Sequence, residues 1–184
     1  MNKKALPVHS AWIGLGSNLG DCRRTLEQAW VQIGTEKHIS RQRLSTCYRS
    51  RPVDMASSNW FVNAVGELQT TLPPLALLEV LQRVENQFGR RRDPSAAGYQ
   101  DRTLDLDLLL YDTLTLNLPR LQIPHPQMHN RLFVLTPLAE LIPDMKHPLL
   151  GLSMVDLKNH LLEQPGTASA QQLYPVSAGT CRKM

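Results

Sequence analysis

The chain has no run approaching the ~18 apolar residues that a membrane span requires, and no glycine-rich P-loop for cradling phosphates. Any phosphate chemistry must therefore rest on other devices. Its three cysteines, Cys22, Cys47 and Cys181, are odd in number, far apart and without a C-x-x-C pair. That argues against a disulfide framework or a thiolate zinc site, and fits free thiols in a reducing compartment. Aromatic residues make up only 5% of the chain, which speaks against the stacking platform of an RNA-binding sheet. Charge of one sign is also scarce. The net charge is +4, with Lys and Arg scattered except at Arg90-Arg91-Arg92, and a site for a phosphorylated small molecule accounts for that charge as well as nucleic acid would. Near the start, Pro7, His9 and Ser10 interrupt the apolar residues before a secretory core can form. The expectation is a cytoplasmic monomer whose partners are small molecules, with no nucleic acid and no membrane.

What is present is an ordinary globular composition, 42% hydrophobic and 20% charged over 184 residues. One domain is expected over residues 1–163. Residues 164–184 are small, polar and non-periodic, and read as a loosely ordered tail. Residues 11–16 read as a buried strand closing on Gly14, Gly16 and the turn Ser17-Asn18. Asp21 then caps a helix with Leu26, Ala29, Trp30 and Ile33 on one face, stopped by Gly34. This is not a dinucleotide fingerprint: the third glycine, Gly20, falls one place late and Asp21 puts negative charge where a pyrophosphate would sit. Residues 39–50 and 60–71 read as an antiparallel pair of strands. In the second, Phe61, Asn63 and Val65 share a face, so Asn63 is either simply exposed or set to read the edge of a flat heteroaromatic ring. Pro73-Pro74 open a helix striped by Leu77, Leu78, Leu81, Val84 and Phe88, and Glu85 falls inside the stripe. A carboxylate there needs an arginine partner or a ligand cavity. After a short extended piece at 116–123, His125 and His129 have the spacing of a zinc helix, but Pro126 forbids a regular helix through them. Further helices are predicted from Asn130 to Leu141 and, capped by Ser153, to Glu163.

The densest chemistry lies in Arg102-Thr103-Leu104-Asp105-Leu106-Asp107-Leu108. On a strand, Asp105 and Asp107 project to one face while the leucines project to the other. Two carboxylates ~5 Å apart at an effective dielectric near 20 repel by roughly 3 kcal/mol, unless a cation lies between them or water screens them. A solvated edge is the plain alternative to a metal site. The loop at 89–101 delivers Arg90, Arg91 and Arg92 directly to this strand. Arginine forks bind phosphate oxygens and carboxylates bind the magnesium those oxygens also need, so the two charge types suit a nucleoside triphosphate.

Gly14-Leu15-Gly16-Ser17-Asn18-Leu19-Gly20-Asp21, Tyr48-Arg49-Ser50, Asn63-Ala64-Val65, Glu85 with Gly89-Arg90, Arg102 to Asp107, and Pro124-His125-Pro126 with Met128, Arg131 and Phe133 follow one another in the order of a known family. Over residues 11–163 the chain resembles 6-hydroxymethyl-7,8-dihydropterin pyrophosphokinase of folate biosynthesis. The pattern of successive elements, β-α-β-β-α-β and then helices, suggests an α+β, ferredoxin-like βαββαβ core with one mixed, mainly antiparallel sheet, helices mainly on one face, and additional C-terminal helices. The resemblance implies transfer of pyrophosphate from ATP to the pterin hydroxymethyl group, with AMP released and two Mg2+ ions bound by Asp105 and Asp107. By the same resemblance Arg90, Arg92 and Arg102 join the two aspartates as catalytic residues. Gln82, Glu85, Arg92, Leu108, Arg120, His125 and Arg131 are implied to contact ATP. Ser50, Pro52, Val53, Phe61, Asn63, Asp105, Phe133 and Tyr99 are implied to form the pterin pocket. The chain departs from the family at Tyr99-Gln100-Asp101, where Trp-Gly-Pro is usual, at Arg51 in place of a common proline, and at Pro126. A diverged paralogue acting on a modified pterin and a non-catalytic pterin- and ATP-binding relative are the alternatives.

Overall fold

A computed structural model of the chain describes residues 6–53, 57–90 and 100–176. Strand β1 (His9–Ser17) leads through the Asp21 cap, whose carboxylate accepts from the Arg24 N–H, into α1 (Cys22–Ile33). Strands β2 (Ile39–Leu44), β3 (Tyr48–Ser50) and β4 (Phe61–Thr70) follow, then α2 (Pro74–Gln87), with a proline in its first turn where no N–H is needed, and β5 (Asp105–Tyr111). The small hairpin β6 (Leu116–Leu118) and β7 (Leu121–Ile123) stands apart from the main sheet. A single 3-10 turn at Met128–Asn130, then α3 (Leu132–Leu141), α4 (Met154–Glu163), α5 (Thr167–Ala170) and β8 (Leu173–Pro175) complete the described chain.

The sheet runs β5-β1-β4-β3-β8, with β2 also paired to β4, and every pairing is antiparallel. This is the expected ferredoxin-like arrangement: β1 sits between β4 and β5, and the two crossover helices α1 and α2 share one face. Ala11, Ile13 and Leu15 of β1, Val62, Ala64 and Leu68 of β4, and Leu106 and Leu108 of β5 meet Leu26, Ile33, Leu77, Leu81 and Val84 there. Each such side chain contributes about 1.5–3 kcal/mol on burial.

Three features depart from the sequence expectation. The strand read over 39–50 is broken at Ser45, whose hydroxyl accepts from the Val65 N–H (2.9 Å) while its own N–H donates to the Val65 carbonyl (2.9 Å). A side chain thus replaces one rung of the ladder, and β2 and β3 pair with opposite halves of β4. Helices also cover both faces rather than mainly one. α3 and α4 lie on the second face, over Trp12, Val65, Leu109 and Leu110. Consecutive leucines on one face contradict the period of a strand, and they are reconciled by a shift of the β1–β5 register between Trp12 and Ile13. Finally, part of the segment expected as a loose tail is ordered. Within 164–184, α5 and β8 form, and β8 pairs with β3. Local composition carries no sign of this, since the pairing depends on a partner strand more than a hundred residues away.

Candidate active site

α3 and α4 cover only half of the second sheet face. Over the other half the same three strands present Gly14 and Gly16, Phe61 and Asn63, and Asp105 and Asp107. In register, Gly14 stands beside Asp107, and Gly16 lies between Asp105 on one side and Asn63 on the other. The absence of side chains on the central strand hollows the floor. A Cβ at Gly16 would stand 3.1 Å from the Asn63 Oδ1. The hollow, about 650 Å³ including its open mouth, is walled by Ser50 at the end of β3 with Arg51 and Val53 after it, and by Arg131, Phe133 and Val134 at the start of α3.

Asp105 is the hub of the charged side. Arg90 Nη1 donates to its Oδ1 and also to Glu85 Oε1, and Arg102 Nη2 lies 2.8 Å from its Oδ2. Glu85, buried within the α2 stripe, also accepts from the Leu106 N–H (2.7 Å), so its anomaly is resolved by Arg90 and by the backbone of the acidic strand. Burial alone would push the Arg90 guanidinium down, but Asp105 and Glu85 outweigh it and hold the charged form. Asp107 is likewise half-buried in the floor of the hollow, and its carboxyl is pushed up to about 6 by burial and by the charge on Asp105. The arginines at 102, 131 and 90 offset this only in part. A pair of hard oxygen donors with incomplete compensation fits a divalent cation such as Mg2+, which takes one or two protein carboxylates and completes its shell with substrate oxygens and water. No group of three or more His, Cys, Asp or Glu side chains suited to a metal occurs among the described residues.

The apolar side is a slot. The Arg102 guanidinium lies over the Phe61 ring (5.5 Å to the centroid) and that of Arg131 over Phe133 (5.7 Å). The Asn63 amide donates to the Ser50 hydroxyl (3.0 Å), which fixes its orientation and leaves Oδ1 as an acceptor. His125 hangs beside the end of the site, its N–H donating to the Leu109 carbonyl (2.9 Å) and its Nδ1 accepting from the Gln127 N–H (3.2 Å). Burial and the nearby Arg131 push it down to about 4, so it is neutral at pH 7 and offers Nε2–H as a donor.

Of the expected residues, Ser50, Val53, Phe61, Asn63, Arg102, Asp105, Asp107, Arg131 and Phe133 converge on the hollow. Pro52 lies between two of its lining residues without lining it, and Gln82, Glu85, Arg120 and His125 stand outside it, Arg120 exposed beside the β6–β7 turn. The Leu108 side chain is packed in the core with α1 and α2, because strand alternation turns it away from the acids, and it does not line the hollow. Arg92 and Tyr99 lie outside the described residues. Sequence reasoning missed the ties around the rim. Asp101 accepts from Asn18 Nδ2 (2.5 Å), Ser57 Oγ (2.7 Å) and Asn59 Nδ2 (2.7 Å), while Asn18 Oδ1 accepts from the Arg102 N–H (2.7 Å). The Ser57 bond, with those from the two asparagines, holds the Asp101 carboxyl below its usual range. The available signal was the Gly14 to Asp21 turn, which contains Asn18.

Paired acids beneath arginines, on an α+β sheet with a flat slot alongside, have the chemistry that a transferase without a P-loop would need to handle phosphates. The sequence pattern of 7,8-dihydro-6-hydroxymethylpterin-pyrophosphokinase (HPPK) matches residues 12–143, and the chain belongs to that family. It is 41% identical over 139 residues to the 2-amino-4-hydroxy-6-hydroxymethyldihydropteridine pyrophosphokinase of Haemophilus influenzae, covering 76% of this chain and 85% of that one. The enzyme of the same name from Bacillus subtilis is 39% identical over 131 residues (71% and 77%), and that from Synechocystis 37% over 171 residues (93% and 82%). Among solved structures, a Plasmodium falciparum HPPK-DHPS triple mutant superposes with a TM-score of 0.70 at 16% identity, over 89% of this chain and 46% of that one. This chain therefore spans less than half of that protein, and the likeness is one of fold.

Proposed function

We propose that the chain transfers pyrophosphate from ATP to the hydroxymethyl group of 6-hydroxymethyl-7,8-dihydropterin, giving the pterin diphosphate and AMP in folate biosynthesis. The observation that carries this reading is the junction of the Asp105–Asp107 floor with the Phe61–Asn63–Phe133 slot in one hollow, which brings a phosphate donor and a flat acceptor together. Asp105 and Asp107 would hold two Mg2+ ions. When bound, these neutralise charge on the triphosphate and on the departing AMP oxygen.

The remaining work falls to the chain's own groups. Arg102 and Arg90, with Arg92, bind phosphate oxygens. Arg90 exchanges its bonds to Asp105 and Glu85 for substrate oxygens as it does so. Gln82, Glu85, the Leu108 backbone, Arg120, neutral His125 and Arg131 serve the nucleotide. Phe61 and Phe133 flank the pterin, Asn63 Oδ1 accepts from its ring edge, and Ser50, Pro52, Val53 and Tyr99 complete the pocket. No side chain is assigned as a general base, since positioning and electrostatics carry the step. Cys47 is a free thiol, which suits the cytoplasm. Relatives that share the enzyme's name at 37–41% identity favour catalysis over a binding-only role or a modified acceptor.

The test is incubation with Mg-ATP and 6-hydroxymethyl-7,8-dihydropterin while AMP is followed. AMP should form one for one with pterin consumed, and no AMP with this pterin would overturn the assignment.

A further inference from the structure

The HPPK pattern ends at residue 143, yet the chain returns to the pocket thirty residues later. Helix α3 is preceded by Arg131 at its N-cap, which supplies no capping side chain, although the first N–H groups of a helix need acceptors. The missing acceptor comes from Gln171. Its Oε1 accepts from the Leu132 N–H (2.9 Å) and its Nε2 donates to the Asn130 carbonyl (3.1 Å), so one amide clamps both sides of Arg131. Two residues on, Leu173 enters β8 opposite Ser50, and the Val176 N–H donates to the Cys47 carbonyl (2.8 Å). Arg131 and Phe133 form one wall of the hollow and Ser50 belongs to the other. No more than about 7 Å of chain separates Gln171 from Leu173, so the segment has little slack with which to let those walls part.

We propose that residues 171–176 act as a gauge that sets the width of the acceptor slot, with Gln171 as a positioning residue that never touches substrate. This rests on the slot being the pterin site. The clamp orients Arg131 and Phe133, while β8 holds the end of β3, where Ser50 fixes the Asn63 amide. A segment that only stabilised the fold would weaken both substrates alike when loosened. A gauge affects the acceptor more than the nucleotide, which meets only Arg131 of the clamped wall.

The test compares wild type, Gln171→Ala and Gln171→Glu by titration with the pterin in the presence of Mg2+ and a slowly hydrolysed ATP analogue, by titration with that analogue alone, and by amide hydrogen exchange in the free protein. Losing the cap should raise the pterin Kd roughly five- to tenfold and the nucleotide Kd, which Arg131 also serves, by a clearly smaller factor. Exchange at Leu132 should accelerate. Gln171→Glu keeps the acceptor oxygen for the Leu132 N–H but sets an oxygen against the Asn130 carbonyl, so it should recover only part of the pterin affinity. Unchanged pterin affinity, equal weakening of both ligands, or unchanged exchange at Leu132 in Gln171→Ala would each overturn the gauge. Failure of the wild type to bind the pterin would instead overturn the pterin assignment, while the exchange result would still judge the clamp.

Discussion

Along one face of three strands, the two ends of the sheet have opposite characters. At one end Trp12, Val65, Leu109 and Leu110 meet α3 and α4 and are buried; at the other, the same strands present Gly16, Asn63 and Asp105 to an open hollow. The pairing is antiparallel throughout, so apart from the one register shift between Trp12 and Ile13 the change is made by side chains. A site is produced here by withholding volume on β1 and placing charge on β5, while the apolar end of the same strands supplies the rigidity.

If that division holds, substitutions at the two ends should separate stability from activity. Trp12→Ala at the covered end should lower unfolding free energy by about 3–5 kcal/mol in denaturant titrations while leaving substrate affinities of the folded fraction unchanged. Asp107→Asn, three residues from Leu110, the partner of Trp12 in register, should do the reverse. AMP formation should fall by at least roughly 100-fold with Tm unchanged or slightly raised, because a carboxylate crowded by Asp105 has been neutralised. Near-normal turnover in that variant would remove Asp107 from the metal floor. The mildest change is Gly16→Ala. Its methyl group must displace the Asn63 Oδ1 by a few tenths of an ångström, and it should weaken pterin binding roughly tenfold with nucleotide affinity intact. Equal loss for both ligands would mean that the hollow is not divided between donor and acceptor.

Much of this division was legible in the chain. Strand period placed Asp105 and Asp107 on one face, and the Asp21 cap and the Pro73-Pro74 start located α1 and α2. What escaped depended on partners distant in sequence. Ser45 breaks a strand because its hydroxyl finds Val65, and the two leucines share a face because β1 shifts register beside them. α3 is apolar nearly all round, so its pattern could not say which sheet face it would cover. Glu85 was flagged as needing a partner, but only the fold names Arg90. The polar composition after Gln164 concealed an edge strand whose stability comes from β3, and a glutamine that caps a helix begun forty residues earlier.

The register shift between Trp12 and Ile13 has a consequence for how such a protein varies over time. The extra leucine of β5 is absorbed at the border between the covered end and the hollow, beyond the pairs that hold Asp107 to Gly14 and Asp105 to Gly16. Length gained or lost at that border leaves the aim of the carboxylates untouched. The helical cover is therefore free to diversify while the acidic floor keeps its geometry, and descendants of one fold can differ widely in bulk without relearning the chemistry.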